Sequence, residues 1–148
     1  MSVDPILEEM VREEVVALHD FFVGWFSGKL ATDAFETQFL ARFDEDFILI
    51  PPAGIVLPLQ DFKTVFFDAH GSNPDFRIAI RNVRLRRLMG GFVLATYEEW
   101  QRNALASEPP DNGRVASVVF AASSPLKWLH VHETWLPESI ASQGPYDF

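Results

Sequence analysis

Residues 76–103 read FRIAIRNVRLRRLM, then GG, then FVLATYEEWQRN, and this stretch decides the fold. Apolar and polar residues alternate through it, which is the two-residue period of a strand with one buried face. Gly90-Gly91 is a short turn signal, so Phe76 to Leu88 and Gly91 to Asn103 read as antiparallel neighbours. Within the first of them, Ile78 and Ile80 share one parity while Val83 and Leu85 have the other. One extra residue near Arg81-Asn82 restores a continuous apolar face, so a β-bulge is expected there, bending the strand. Two more strands follow, Arg114 to Ser123 and Leu126 to Leu136, joined at Ser124-Pro125. The residues between, 104–113, form a longer loop around Pro109-Pro110-Asp111-Asn112.

Upstream of Asn73-Pro74 the period is 3.6 instead of 2. Asp4 is placed to cap a helix with Pro5 at its first position and Leu7, Val11, Leu18, Phe22 and Trp25 along its apolar stripe; Gly28 closes it. A shorter second helix is expected from Thr32 or Asp33, with Glu36 completing a capping box and Phe35, Phe39 and Phe43 turned inward. Phe47 to Ile50 reads as a strand. Pro51-Pro52-Ala53-Gly54 then reverses the chain into Ile55 to Leu57, a small hairpin. A third helix from Pro58 carries Leu59, Phe62, Phe66 and Ala69 inward and stops at Gly71. The expected architecture is α+β, a curved antiparallel sheet wrapped around three N-terminal helices, with one domain over residues 1–137. Residues 138–148 lack periodicity and read as a C-terminal tail lying on the surface or on a partner.

Composition narrows the function. Twelve Lys plus Arg against 21 Asp plus Glu give a net charge of −9, so neither nucleic acid nor an anionic membrane is an expected partner. Zero cysteines exclude disulfides, thiolate metal sites and thiol nucleophiles, and suit a reducing compartment. No apolar run reaches membrane-spanning length and the N-terminus shows no secretion-signal pattern, so a cytoplasmic location is expected. Fourteen Phe, four Trp and two Tyr suit a core with a hollow in it or a broad subunit contact.

Alternation puts Val93, Ala95, Tyr97, Glu99 and Gln101 on one face of the second long strand, and Leu129, Val131, Glu133 and Trp135 on one face of the last. With one strand intervening the two run parallel, which brings Glu99 and Glu133 to the same end of the sheet, about 10 Å apart at the backbone. A two-residue turn at Ser124-Pro125 pairs Ser123 with Leu126 and sets Arg114 opposite Trp135, Ala116 opposite Glu133 and Val118 opposite Val131. Arg114 then stands between two carboxylates with Trp135 beside it. This is either a self-neutralising ion cluster in a pocket wall or a set of polar groups converging on a ligand.

The remaining charged groups receive plainer readings. His130 and His132 share a face about 7 Å apart, but no third ligand accompanies them, so no metal is expected. His19 and His70 are isolated and take structural or surface roles. Arg77, Arg81, Arg84, Arg86 and Arg87 are expected to meet acidic side chains across the sheet or a dimer face. Asp44-Glu45-Asp46 lacks the spacing of a calcium loop and reads as solvated charge, with Asp46 the one that can turn into a pocket. Trp100 and Trp128 fall on the outward face, an apolar patch that implies a homodimer through the sheet.

Three helices, a small hairpin and a meander of long bent strands resemble the nuclear transport factor 2-like superfamily, a cone-shaped α+β fold of cystatin-like type. In Lys127-Trp128-Leu129-His130-Val131-His132-Glu133-Thr134-Trp135, the Trp followed four residues later by His is similar to the closing strand of SnoaL-like members and of the association domain of calmodulin-dependent kinase. Asp46 before Pro51-Pro52-Ala53-Gly54 resembles their first-strand region. The superfamily holds cyclases, steroid isomerases, dehydratases and noncatalytic assembly domains, so the resemblance implies the fold and leaves the activity open. The expected role is binding of a small apolar molecule with a polar group at Tyr97, Glu99, Arg114, Glu133, Trp135 and Asp46, without cofactor. If chemistry follows, it is proton transfer without a metal, as in an isomerase, cyclase or dehydratase, with Glu99 or Glu133 as base and Tyr97 as donor. The alternative is a noncatalytic assembly or accessory domain acting through dimerisation.

Overall fold

The Asp4 carboxylate accepts hydrogen bonds from the backbone N–H groups of Ile6 and Leu7 at 3.0 and 3.1 Å, and helix α1 runs from there as Pro5–Ser27. The computed structural model describes residues 4–148. Gly28 ends α1 in the left-handed conformation at φ 79°, a position open to glycine at little cost. The inward face of α1 carries Val11, Val15, Leu18, Phe21, Phe22 and Trp25, and one polar residue, His19.

The expected second helix is a π-helical turn, Phe35–Phe39, followed by a single 3-10 turn, Leu40–Arg42. Asp33 caps nothing there: the cap position falls on Ala34, with no side-chain bond. Ring packing outranks the local capping signal, since Phe39 stacks on Phe35 at 4.6 Å and meets Phe43 at 4.9 Å. Phe43 accordingly opens strand β1, Phe43–Ile50, four residues earlier than the sequence implies. Strand β2, Leu57–Pro58, forms the expected hairpin with β1, and helix α2 follows as Leu59–Asp68.

The meander comprises β3 (Arg77–Met89), β4 (Phe92–Arg102), β5 (Asn112–Ala121) and β6 (Lys127–Trp135). Together with the hairpin it makes one six-stranded sheet of order β2-β1-β6-β5-β4-β3. The sheet is mixed rather than wholly antiparallel, because β1 lies parallel to β6, with Leu49 opposite Val131. A strand joined to its neighbour through the whole meander is free of the direction a hairpin imposes. The bulge falls where the parity break puts it. Pairing slips between Arg81 and Arg84, and Asn82 takes φ 54° with its amide nitrogen bonded to the Glu98 carboxylate at 2.8 Å. A second slip, between Leu85 and Arg87, adds to the bend.

Between β5 and β6 the register Arg114↔Trp135, Ala116↔Glu133 and Val118↔Val131 holds as expected. Nearer the turn it does not. Ala121 pairs with Lys127, the connection runs over residues 122–126, and Leu129 is bulged out between the Phe120↔Trp128 and Val119↔His130 pairs. Leu126 is buried, so the wider turn folds a leucine into the core. The bulge also changes the parity of Trp128, which points inward, edge-on to Phe120 at 4.7 Å, with its indole N–H donating to Glu14 at 2.8 Å.

Trp100 does face outward but is not bare. The Arg81 guanidinium lies 4.7 Å over its ring and Tyr146 packs on it at 5.7 Å. After a short helix α3, Glu138–Ala141, the chain returns across the outer face, where Arg81 donates to the Pro145 carbonyl and Arg102 to that of Tyr146. The outward patch of two exposed tryptophans is therefore absent, because the Leu129 bulge buries one and the tail covers the other. Among the described residues, Arg81 is the one β3 arginine that reaches a carboxylate, Asp147 at 4.0 Å. Arg77, Arg84 and Arg87 donate to backbone carbonyls and Arg86 to Thr96.

Gly113 sits beneath Trp100: a Cβ there meets the indole at 3.2 Å and the tip of Leu136 at 2.8 Å. Leucine can rotate away, whereas the clamped indole cannot. Gly113→Ala is expected to cost about 1–3 kcal/mol by overpacking, read as a fall in melting temperature together with a changed near-UV signal from Trp100. An unchanged melt removes the claim that this ring is tightly held.

Candidate functional site

The sheet curls around α1 and α2 and leaves a cavity of about 240 Å³ inside the cone. Its walls are mostly rings and aliphatic chains, among them Phe22, Phe26, Phe47, Phe62, Phe66 and Val131. Polar groups enter from one side. β4 alternates small and then polar residues on its inner face, Val93, Ala95, Tyr97, Glu99 and Gln101, all buried, and the polar end, Tyr97, Glu99 and Gln101, reaches the hollow. β5 adds Arg114 and β6 adds Glu133.

His19 of α1 completes this wall. Its Nδ1 donates to the Val15 carbonyl at 2.7 Å and its Nε2 meets Glu99 Oε1 at 2.9 Å, while Gln101 donates to the other Glu99 oxygen at 2.6 Å. Burial opposes charge on the imidazole, but the adjacent Glu99 carboxylate and its hydrogen bond outweigh it and raise the His19 pKa. Burial likewise opposes charge on Glu99. The His19 charge and hydrogen bond, with Arg114 and Gln101 behind them, overcome that and hold Glu99 well below its ordinary value.

Glu133 goes the other way. Burial and the nearby Glu99 charge raise it to about 7, against the pull of Arg114. Its bond from Arg114 Nη1 is long, 3.4 Å, and Arg114 Nη2 makes another long bond of 3.3 Å to Asn112. Arg114 Nε is buried and has no partner. Tyr97 is held neutral far above its ordinary pKa, by burial first and by the two carboxylates next. Two acids of one type in one wall are thus driven apart, one a fixed anion and the other able to gain or lose a proton near neutrality.

Tyr97, Glu99, Arg114 and Glu133 all line the cavity. Trp135 touches it only through Arg114, whose guanidinium lies 4.8 Å from the indole. Asp46 is exposed on β1, outside the lining, with its backbone N–H turned to the Asp44 carboxylate. His19 is the residue that the sequence reading passed over. Its signal is its position: four residues after Val15, it puts an ionisable ring on the buried face of an amphipathic helix. Among the described residues no group of three or more His, Asp or Glu is arranged to hold a metal. His130 and His132 pair with Val119 and Ser117 on the outer face of the sheet. A second, apolar chamber of about 400 Å³ adjoins the first between α2 and residues 104–107, and Phe26, Phe66, Phe76, Gln101 and Arg114 border both.

No protein-family model matches the chain. A curated relative, sucrose-phosphatase 2 of Nicotiana tabacum, is 27% identical over 140 residues, 88% of this chain but 32% of that protein, so the chain spans about a third of its length. Among solved structures, an NTF2-like protein of unknown function from Pseudomonas aeruginosa is 27% identical, covers 86% of this chain and 99% of its own, and superposes with a TM-score of 0.76. Two more distant likenesses concern the fold alone. They are the CaMKII hub of S. rosetta (14% identical, TM-score 0.60, 84% and 95% covered) and a ketosteroid isomerase-like protein from Shewanella frigidimarina (13%, 0.58, 82% and 92%). With its hairpin, bent meander and helices packed inside a curved, unclosed mixed sheet, the chain belongs to the nuclear transport factor 2-like superfamily and has its cystatin-like cone fold.

Proposed function

We propose that this protein binds a small, largely apolar molecule inside the cone through a polar group at Tyr97, Glu99, Arg114 and Glu133, and exchanges a proton with it at Glu133. The observation that carries the reading is the meeting of an aromatic hollow of about 240 Å³ with ionisable side chains on one wall only, which is how a site orients a ligand that is greasy at one end. His19 and Gln101 fix Glu99 as an anion, Tyr97 supplies a neutral hydroxyl donor, and Glu133 accepts or returns the proton. Such a wall suits isomerisation, cyclisation or dehydration without a metal. Trp135 supports Arg114 from the rim, and Asp46 takes no part.

A thermal-shift screen of small apolar acids, phenols and ketones tests it. A ligand present at a hundred times its dissociation constant adds about 2.7 kcal/mol of stability. Glu133→Gln is expected to keep binding while abolishing any proton exchange into the ligand. If no member of the screen shifts the melt of the wild-type protein, the binding reading falls.

A noncatalytic assembly role is the second reading. It is supported by the likeness to a kinase hub and by an outer sheet face on which Val115, Ser117 and His132 are exposed. A homodimer through that face is expected to scatter light as a species near twice 16.8 kDa; a monomer at micromolar concentration rejects it. No described helix is long and apolar enough to cross a membrane, and the cysteine-free composition suits a cytoplasmic home.

A further inference from the structure

Arg114 is an underused cation on the wall of the hollow. A guanidinium offers five N–H donors in a flat fork, yet here it makes two bonds longer than 3.2 Å and leaves a buried Nε without an acceptor. The residue is 9% exposed and borders both chambers. Trp135 occupies the face of the guanidinium, so what remains for a ligand is the edge that carries the donors.

We propose that the molecule held in the cone is an apolar carboxylic acid, bound as its anion at Arg114, with its hydrocarbon body among the phenylalanines of the inner chamber. The proposal rests on the pocket reading above and names its ligand class. A carboxylate is planar, accepts two parallel hydrogen bonds and matches the fork; a ketone or alcohol occupies one donor and leaves the others buried and unpaired.

The charges facing the site point the same way. From α1 comes His19, from β4 Tyr97 and Glu99, from β6 Glu133. His19 and Glu99 neutralise each other and Tyr97 is uncharged, so the Arg114 charge is balanced by Glu133 alone. When Glu133 carries its proton, one positive charge is left over inside an apolar hollow. A singly charged anion cancels it. A dianion such as a phosphate monoester does not, and it brings its second charge up against Glu99. Binding of the acid therefore goes with a protonated Glu133, which can then share its proton with the incoming carboxylate.

Calorimetric titration of the whole chain with benzoate, 3-phenylpropanoate and octanoate, each beside its primary amide, tests this. At pH 6 at least one acid is expected to bind about tenfold or more tightly than its amide. With Glu133 titrating at about 7, that affinity is expected to weaken about tenfold between pH 6 and pH 8 while the amide's does not move. Arg114→Met is expected to remove the preference for acid over amide, and Arg114→Lys to restore part of it. The wild-type pH series decides the matter even if Arg114→Met fails to fold. An amide that binds as tightly as its acid, or an acid whose affinity is flat or rises with pH, overturns the carboxylate and leaves the pocket reading standing. No binding by any acid or amide removes both.

Discussion

Glu99→Ala is expected to lower the melting temperature by on the order of 10 °C at pH 5.5, since breaking a buried pair costs about 3–5 kcal/mol and a chain of this size loses about 2–4 °C per kcal/mol. Glu99 is 5% exposed and holds His19 from one oxygen and Gln101 from the other. Without it, the imidazole must shed its proton to stay buried. The pH dependence separates this from simple loss of packing. The lowered Glu99 pKa stabilises the fold above about pH 4.5 and the benefit is lost as pH falls through the folded value. The raised His19 pKa stabilises it below 6.5 and the benefit is lost as pH rises through its folded value. The deficit of Glu99→Ala should therefore be deepest between pH 4.5 and 6.5 and shrink at higher pH. A deficit of equal size from pH 5 to pH 9 means that the pair contributes packing and no charge.

Glu133 is expected to act in the opposite sense. An acid whose folded pKa lies above its unfolded one stabilises the fold while protonated and works against it once ionised, so its contribution declines from about pH 4.5 and is gone above 7. Raising a carboxyl from 4.5 to about 7 corresponds to ~3 kcal/mol of lost stability at pH 8. Glu133→Gln removes the penalty while keeping an oxygen for Arg114. The variant is expected to match the wild type near pH 4.5 and to melt several degrees higher at pH 8. His19, Tyr97, Glu99 and Arg114 face the same group and are common to both proteins, so the difference between the two curves isolates Glu133. Parallel curves without divergence above pH 6 contradict a raised pKa.

The sequence speaks most clearly where a pattern is local and long. The parity break at Arg81-Asn82 leads to the bulge itself, and alternation in β4 and β6, with the β5–β6 register that sets Arg114 opposite Trp135, leads to the shared wall of Tyr97, Glu99, Arg114 and Glu133. It speaks least where one inserted residue or one distant contact decides. Ser124-Pro125 reads as a tight turn, and only the burial of Leu126 and the bulge at Leu129 reveal that Trp128 turns inward. Asp33 and Glu36 form a plausible cap that the packing of Phe35, Phe39 and Phe43 overrides. His19 lies eighty residues from Glu99, and nothing local announces a partner at that range. The parallel contact of β1 with β6 is equally nonlocal.

Of the four tryptophans, Trp25, Trp100 and Trp128 are buried. Trp135 is 45% exposed and carries the Arg114 guanidinium 4.8 Å from its ring. Indole fluorescence responds to the charge and water beside it, so whatever draws Arg114 toward the hollow, or changes the charge it faces, alters the emission of this one rim residue. The protein thereby carries a label-free optical probe of the charge around Arg114; Trp128, which lines the cavity itself, responds separately, and Trp135→Phe tells the two signals apart.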